Sequence, residues 1–532
     1  MTTSWLLPAL TQATAYPHPC IEPITWRESH ISWLFFTGPF VYKVKKAVNF
    51  GFLDYTTLER RRAMCEAEIR LNQRLSPGVY LAVTPIRQSQ GEIRLDGPGE
   101  TVEYAVKMRQ LPADCWLTDV LARGEATPEL LRRIAARLAD FHAAAETGQE
   151  ITQLGGLATM RRNAAENFVQ TASYRGVTIS AESYDLIRAY TTAFLEIAAP
   201  LIRRREAQGR VRDCHGDLHA DHISLEGDAI EFIDCIEFND RFRYSDVAAD
   251  LAFLAMDLDF YHRPDLAQAL VEAYIERSAD TTLRAILDYF KGYRAFVRGK
   301  VESFRLDEPD LAASERATTQ ARAGRYFALA RDYAQLSGPL LLAMTGLMGS
   351  GKSTLAQALA GRLSADVVTA DVVRKELAGL PPDQHQFVAW GTGIYSAESD
   401  QHTYLELCRR AADLLAHNRI VILDASFRQA EQRRLARATA AAATAPFFLI
   451  EVNCPVATLR RRLRRRQDAT HSPSDGRLEL LDRQIAVFAP PTEIPPEQRI
   501  CVNAGGALEE TIDHALTQLY RRRLCDLFSA EI

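Results

Sequence analysis

The sequence predicts two domains of different class: an α+β domain over residues 1–335, then an α/β domain with a parallel sheet over residues 338–532. Three observations carry this. The chain has 532 residues, and at roughly 150 residues per domain that length predicts two to four domains. Gly338-Pro339 separates an Ala/Arg-rich helical run, Leu311 to Gln335, from the apolar run Leu340 to Thr345, which reads as a buried strand. Beyond it, short apolar runs alternate with helical segments, the pattern of a parallel sheet covered on both faces.

Composition narrows the class. At 47% hydrophobic and 25% charged residues, the chain is neither disordered nor fibrous. With 63 Lys+Arg against 68 Asp+Glu, it lacks the basic footprint of a sequence-independent nucleic-acid binder. Its nine cysteines are scattered and none has CxxC spacing, which argues against a disulfide framework and a zinc ribbon. No Lys or Arg precedes Arg27, and the apolar stretch Trp5 to Leu10 is short and holds Pro8, unlike a signal peptide. The uncharged stretch Tyr333 to Gly351 contains Gln335, Gly338 and Pro339 and then a glycine-rich loop, so it reads as linker, strand and loop rather than a membrane span. The expectation is a soluble cytoplasmic protein.

In chain order, Ile31 to Phe36 and Phe40 to Val44 flank Thr37-Gly38-Pro39, a hairpin signal. A helix is expected from Leu58 to Leu75, carrying Glu66 and Glu68. The informative stretch is Cys214-His215-Gly216-Asp217-Leu218-His219-Ala220-Asp221-His222-Ile223, followed by the short apolar run Ile230 to Ile233 ending in Asp234. Two acids at the ends of neighbouring short elements suit phosphoryl transfer. One orients or deprotonates the attacking hydroxyl, and the other holds Mg²⁺ against the phosphates. His215, His219 and His222, with Cys214 and Asp217, are also zinc-ligating residue types. Gly216 and a loop rather than a helix speak against that reading.

This stretch resembles the aminoglycoside-phosphotransferase and choline-kinase-like family, which has a protein-kinase-like fold. The resemblance covers about residues 25–330. It implies Asp217 as the catalytic base and Asp234 as a metal-binding acid, with Ser245-Asp246 and Asp250, in a helix, as structural acids. It also implies that Lys43 in Phe40-Val41-Tyr42-Lys43 grips the α/β-phosphates. Lys45 and Lys46 compete for that role, Lys45 from the same strand face. Either Glu66 or Glu68 could pair with the lysine. Where the family spaces Asp-x₄-Asn, this chain has His222. Mg²⁺ prefers oxygen and imidazole suits softer metals, so Mn²⁺ becomes an alternative.

In the second domain, Gly346-Leu-Met-Gly349-Ser350-Gly351-Lys352-Ser353 fits GxxxxGK[ST] after a strand and before a helix opening at Thr354. Its N–H groups would cradle phosphates, Lys352 would reach the β/γ-phosphates, and the Ser353 hydroxyl would bind Mg²⁺. Strands are expected at Val367 to Ala370, Ile420 to Leu423, Phe447 to Val452 and Ile500 to Val502. Asp371 and Asp424 then fall at carboxyl ends of strands, where ligands bind. Asp371 could accept a proton from a substrate hydroxyl while Arg374 holds an anionic group, or simply cap a helix. Asp424 resembles a Walker B acid that orients the Mg²⁺ water shell. Arg460 to Arg466, with a turn at Pro473 to Gly476, reads as a phosphate-closing lid, a solvated face or a nucleic-acid patch.

Residues 340–525 resemble the P-loop small-kinase group that includes zeta-toxin-like, gluconate-kinase-like and polynucleotide-kinase-like ATPases. The whole resembles bifunctional aminoglycoside phosphotransferase/ATP-binding proteins. It implies an enzyme that uses ATP and Mg²⁺ (Mn²⁺ possible) to phosphorylate a small-molecule hydroxyl acceptor, with no membrane partner and no nucleic acid. Two alternatives stay open: a regulatory protein whose first domain is a pseudokinase and whose P-loop domain is an ATPase switch, or a nucleic-acid end kinase.

Overall fold

The computed structural model describes residues 3–51, 53–309, 311–381, 384, 391–467 and 477–528. Packing divides the chain into two compact units, Met1–Gln170 with Ala199–Phe304, and Thr171–Ala198 with Arg305–Ile532.

The first unit opens on an antiparallel sheet. Its strands are β1 (Thr25–Glu28), β2 (Ser32–Phe36), β3 (Phe40–Lys45), β4 (Tyr80–Ser89), β5 (Glu92–Leu95) and β6 (Glu100–Arg109), in the order β1-β2-β3-β6-β4-β5. The β2–β3 turn is the expected hairpin at Thr37-Gly38-Pro39. Alternation along β3 sends Tyr42 and Val44 to the outer face, where Leu6, Leu10, Tyr16 and Ile24 of the N-terminal segment cover them. The other face carries Val41, Lys43 and Lys45 toward helix Leu58–Asn72. The rest of the unit is mainly helical, with two small antiparallel pairs. β7 (Val211–Asp213) pairs with β10 (Tyr244–Asp246), and β8 (Ile223–Glu226) with β9 (Ala229–Phe232). Ser245 and Asp246 lie in β10, ahead of helix Ala248–Phe260, so only Asp250 of the expected helical acids is in the helix. Asp246 instead closes on buried Arg205, whose Nε and Nη2 each donate at 2.7 Å.

The second unit holds a five-stranded parallel sheet. β11 (Leu340–Thr345), β12 (Asp366–Thr369), β13 (Ile420–Asp424), β14 (Phe447–Asn453) and β15 (Arg499–Asn503) run in the order β12-β13-β11-β14-β15. Every residue of β11 is buried, as expected of a strand covered on both faces. One face packs Leu341, Ala343, Val421, Leu423 and Phe447 against helices Ala397–Ala416 and Ala430–Ala442.

The packing does not follow the expected break at Gly338-Pro339. Helices Ala181–Ile197 and Ala313–Ala334 both belong to the second unit. Tyr190 and Phe194 meet Tyr520 and Phe528 of helix Leu508–Phe528, and the Tyr520 hydroxyl donates to the Ala334 carbonyl at 2.7 Å. A Gly-Pro break marks where the backbone turns; a unit is set by where apolar faces find cover. Asp185 of the inserted helix accepts from the buried Arg362 guanidinium at 2.6 and 3.1 Å. Asp185→Ala would leave that guanidinium without its main carboxylate, an expected loss of about 3–5 kcal/mol. Urea unfolding of the full chain checks this, and an unchanged midpoint would mean the inserted helix adds nothing to the unit.

Candidate functional site

In the first unit, three elements converge. Lys43 from β3 places its Nζ 2.8 Å from Glu68 Oε1 and 2.6 Å from Asp234 Oδ1. Lys45, two residues on, reaches Glu68 Oε2 at 2.7 Å and Glu237 Oε1 at 2.5 Å. The Tyr55 hydroxyl also donates to Glu237 Oε1, at 2.7 Å. Glu68 thus lies between two buried lysines, which decides the open choice of partner: Glu66 is exposed and pairs with Arg62. Burial works against both ammonium charges, yet the carboxylates around them hold both pKa values well above the ordinary lysine range.

Asp234 follows β9 in a left-handed conformation, φ +62°, a region that a non-glycine residue rarely adopts and that often marks a functional site. Its N–H donates to the Tyr80 hydroxyl at 3.0 Å. Burial would raise its pKa, but Lys43 and His222 outweigh it and hold the carboxyl well below the usual carboxylate range.

The HGD loop hangs from Asp250. That carboxylate accepts the His215 N–H at 2.6 Å and the Gly216 N–H at 2.9 Å, with His142 Nε2 at 3.3 Å. Burial would raise the Asp250 pKa, and the hydrogen bond and charge from His142 pull it down to about 2. His215 Nε2 donates to the Ile233 carbonyl at 2.9 Å, and burial lowers its pKa to about 4. His215 is therefore a neutral structural strut between the two acidic segments. His222 lies between the two acids: Nδ1 is 3.6 Å from Asp217 Oδ2, and Nε2 is 3.7 Å from Asp234 Oδ2. The sequence-predicted set Lys43, Asp217, His222 and Asp234 is thus brought together. Lys45, the competitor on the same strand face, joins the cluster as well, and Glu237 was not anticipated.

In the second unit, the loop after β11 carries positive φ at Gly346 (+142°), Gly349 (+76°) and Gly351 (+101°). A Cβ on Gly346 would sit 2.6 Å from the Val452 carbonyl oxygen, so the loop needs glycine there. Lys352, at the start of helix Lys352–Leu363, donates to the Leu347 carbonyl at 2.9 Å. Ser353 and Thr354 follow in the first turn. Buried Ser350 Oγ has no hydrogen-bond partner among the described residues.

A cavity of about 1150 Å³ opens on this loop. Ser353, Asp371, Arg374, Asp424, Arg428 and Arg462 are among the side chains that line it. Asp424 ends β13 and is buried. Asp371 sits in the first turn of helix Ala370–Leu377, whose N-cap is Thr369, so it is not the cap residue. Arg374, read as a holder of an anionic group, is already engaged: it donates to Asp400 Oδ1 at 2.6 Å and to the Ile394 carbonyl at 3.0 Å. Arg428 takes the other oxygen of Asp400 at 2.5 Å. Sequence reasoning missed both Asp400 and Arg428. The only sequence signal was the position of Arg428 just beyond the strand that ends at Asp424.

The arginine-rich helix Val456–Gln467 packs Leu459 and Leu463 beside Gly349. Arg462 donates to the Ser350 carbonyl at 3.0 Å and the Ala504 carbonyl at 2.7 Å, and Arg460 pairs with Asp482. Arg462 is thus bound within the fold, while Arg460 sits in an exposed ion pair. The expected turn at Pro473 to Gly476 lies outside the described residues.

Uncharacterized proteins of Mycobacterium tuberculosis and Mycobacterium bovis are 32% identical to this chain over 432 residues, which cover 80% of it and 84% of theirs. The chain belongs to their family. The chain itself joins two recognisable parts. The model of the phosphotransferase enzyme family matches residues 64–287, and that of an AAA domain matches residues 341–491. The expected kinase-like first domain and parallel-sheet P-loop domain are thus both present. The first match begins inside helix Leu58–Asn72, so Lys43 lies outside it. Among solved structures, a choline kinase from Cryptosporidium parvum covers 58% of this chain and 88% of its own, at 10% identity and TM-score 0.37. A gluconokinase from Sinorhizobium meliloti covers 37% and 99%, at 19% identity and TM-score 0.27. No helix among the described residues is long and apolar enough to cross a membrane, and none of the nine cysteines is in a disulfide.

Proposed function

We propose that this family member is an ATP-dependent phosphotransferase with two kinase-like domains, each moving the γ-phosphoryl group of ATP to a hydroxyl of a small molecule. The observation that carries this is the second unit's cavity, onto which the phosphate-cradling loop, Asp371 and Asp424 all open. In this reading Lys352 meets the β/γ-phosphates, and Asp371 accepts the proton of the attacking hydroxyl. A new O–P bond forms to the acceptor while the bridge from the γ-phosphorus to ADP breaks. Arg374 and Arg428, fixed through Asp400, would face an anionic part of the acceptor. Ser353 and Asp424 offer the hard oxygens that suit Mg²⁺, which would neutralise phosphate charge when bound. In the first unit the matching roles fall to Lys43 on the phosphates, Asp217 as base and Asp234 as a metal-binding acid.

The Lys43–Asp234 contact at 2.6 Å favours a second reading for the first unit alone. There the lysine is already neutralised and the domain senses nucleotide without transferring phosphate. The deciding experiment phosphorylates sugars, nucleotides, aminoglycosides and aminoalcohols with the full chain, comparing wild type, Asp371→Asn and Asp217→Asn. Loss of a general base typically costs about 10²–10⁴-fold in kcat, with ATP affinity nearly unchanged. If Asp217→Asn leaves every transfer intact, the first unit is the sensor. If Asp371→Asn does so, the acceptor chemistry assigned to the second unit is wrong.

A further inference from the structure

The HGD loop gathers a second kind of chemistry. Asp217, His219 and His222 each offer a ligand atom, and these atoms lie within 4.8 Å of one another. His219 Nε2 is 3.8 Å from Asp217 Oδ2, and the rings of His219 and His222 have centroids 4.0 Å apart. Asp234 Oδ2, 3.7 Å from His222 Nε2, stands as a fourth donor. A tetrahedral site with bonds of about 2.0–2.1 Å has ligand–ligand edges of roughly 3.4 Å. The His219–Asp217 and His222–Asp234 spacings are within a few tenths of an ångström of that, and the three-residue set lies within 4.8 Å, so side-chain rotations would have to bring the four donors together.

Both imidazoles are oriented as metal ligands usually are. The Asp221 carboxylate lies 3.5 Å from His219 Nδ1, on the far side of the ring from Nε2. The Asp217 carbonyl lies 2.9 Å from His222 Nδ1, so a proton there leaves the lone pair on Nε2, which faces Asp234. A carboxylate or carbonyl behind each histidine fixes its tautomer and strengthens it as a donor. The loop itself is held from behind, with the Ala220 N–H donating to Asp257 at 2.8 Å.

We propose that Asp217, His219, His222 and Asp234 bind one divalent transition-metal ion in preference to Mg²⁺. Two imidazoles and two carboxylates form a donor set for Zn²⁺, Co²⁺ or Mn²⁺, whereas Mg²⁺ demands oxygen. The site rests on the reading of this loop as the first unit's reaction centre, and it has a consequence there. An ion seated on Asp217 takes the carboxylate that would accept the acceptor's proton, so the loaded loop should transfer phosphate more slowly than the Mg²⁺-only protein.

The test is a Co²⁺ titration of full-length, chelator-treated, nucleotide-free protein, read by visible d–d absorption and bound stoichiometry. One equivalent should bind with the intense bands of a four-coordinate ion and resist a large excess of Mg²⁺. His222→Asn, close in size and offering oxygen, should weaken Co²⁺ at least tenfold and narrow its advantage over Mg²⁺. His219→Ala should do the same, with circular dichroism confirming that it folds. Asp221→Asn should weaken binding about 10–100-fold through the tautomer alone. Absent bands, or bands that neither His222→Asn nor His219→Ala alters, overturn the site. Transfer assays on the same samples, in a Lys352→Ala background that silences the second unit, separate it from the kinase reading of the first unit. Bound Co²⁺ without transfer under any metal leaves the site and removes the kinase, while Mg²⁺-dependent transfer without Co²⁺ bands does the reverse.

Discussion

Lys352→Ala should lower ATP turnover by the second unit about 10²–10³-fold, the range seen when one preorganised charge partner of a transition state is removed. The measurement belongs in the full chain carrying Asp234→Ala, so that the first unit does not contribute. Stability should barely change. Lys352 is only half-buried, and it donates to the Leu347 carbonyl of its own loop at 2.9 Å. The glycines and the close approach to Val452 set the loop's shape without the lysine. A large fall in turnover with an unchanged unfolding midpoint is therefore the expected pair of results. Turnover at the wild-type rate would take the loop out of phosphate binding.

Glu68→Ala should have the largest effect on stability in the first unit. The carboxylate is fully buried and accepts from Lys43 at 2.8 Å and Lys45 at 2.7 Å. Removing one member of a buried ionic set leaves its partners charged and poorly compensated, at about 3–5 kcal/mol. Glu237 and Asp234 still face the lysines, which places the expectation near the lower end. Glu66→Ala is the control. That residue is exposed in an i,i+4 pair with Arg62, worth at most about 0.5 kcal/mol. Chemical denaturation of the two variants compares opposite faces of one helical turn. Equal losses would mean that Glu68 is not the keystone of the cluster.

How much of this was legible depended on how local each feature is. β11 and the loop after it are written in the fourteen consecutive residues 340–353, and strand and loop fell where the sequence put them, with the helix opening two residues early at Lys352. The HGD loop and Asp234 were legible for the same reason. Glu66 and Glu68 could not be told apart, because the answer is the rotation of one helix against one sheet. The Lys45–Glu237 pair spans 192 residues, and Arg374 meets Arg428 only through Asp400. Spacing along the chain carries no trace of such meetings. Helix Ala181–Ile197 was the largest surprise. Its apolar face declares that it will be buried, and an apolar face is indifferent to which body covers it.

That helix also sets a schedule. The chain leaves the first unit at residue 170, returns at 199 and leaves again after 304. On a ribosome adding about 5–20 residues per second, Ala181–Ile197 is finished roughly 7–30 s before Leu340 is made. Until then the Asp185 carboxylate can close on Arg175 and Arg188 of its own segment, and Phe194 on Tyr190, but Arg362 and Phe528 do not yet exist. The nascent first unit must therefore fold around a segment it has to leave unclaimed. A gene cut at Gly338 would release one half with an orphaned helix and another half lacking it.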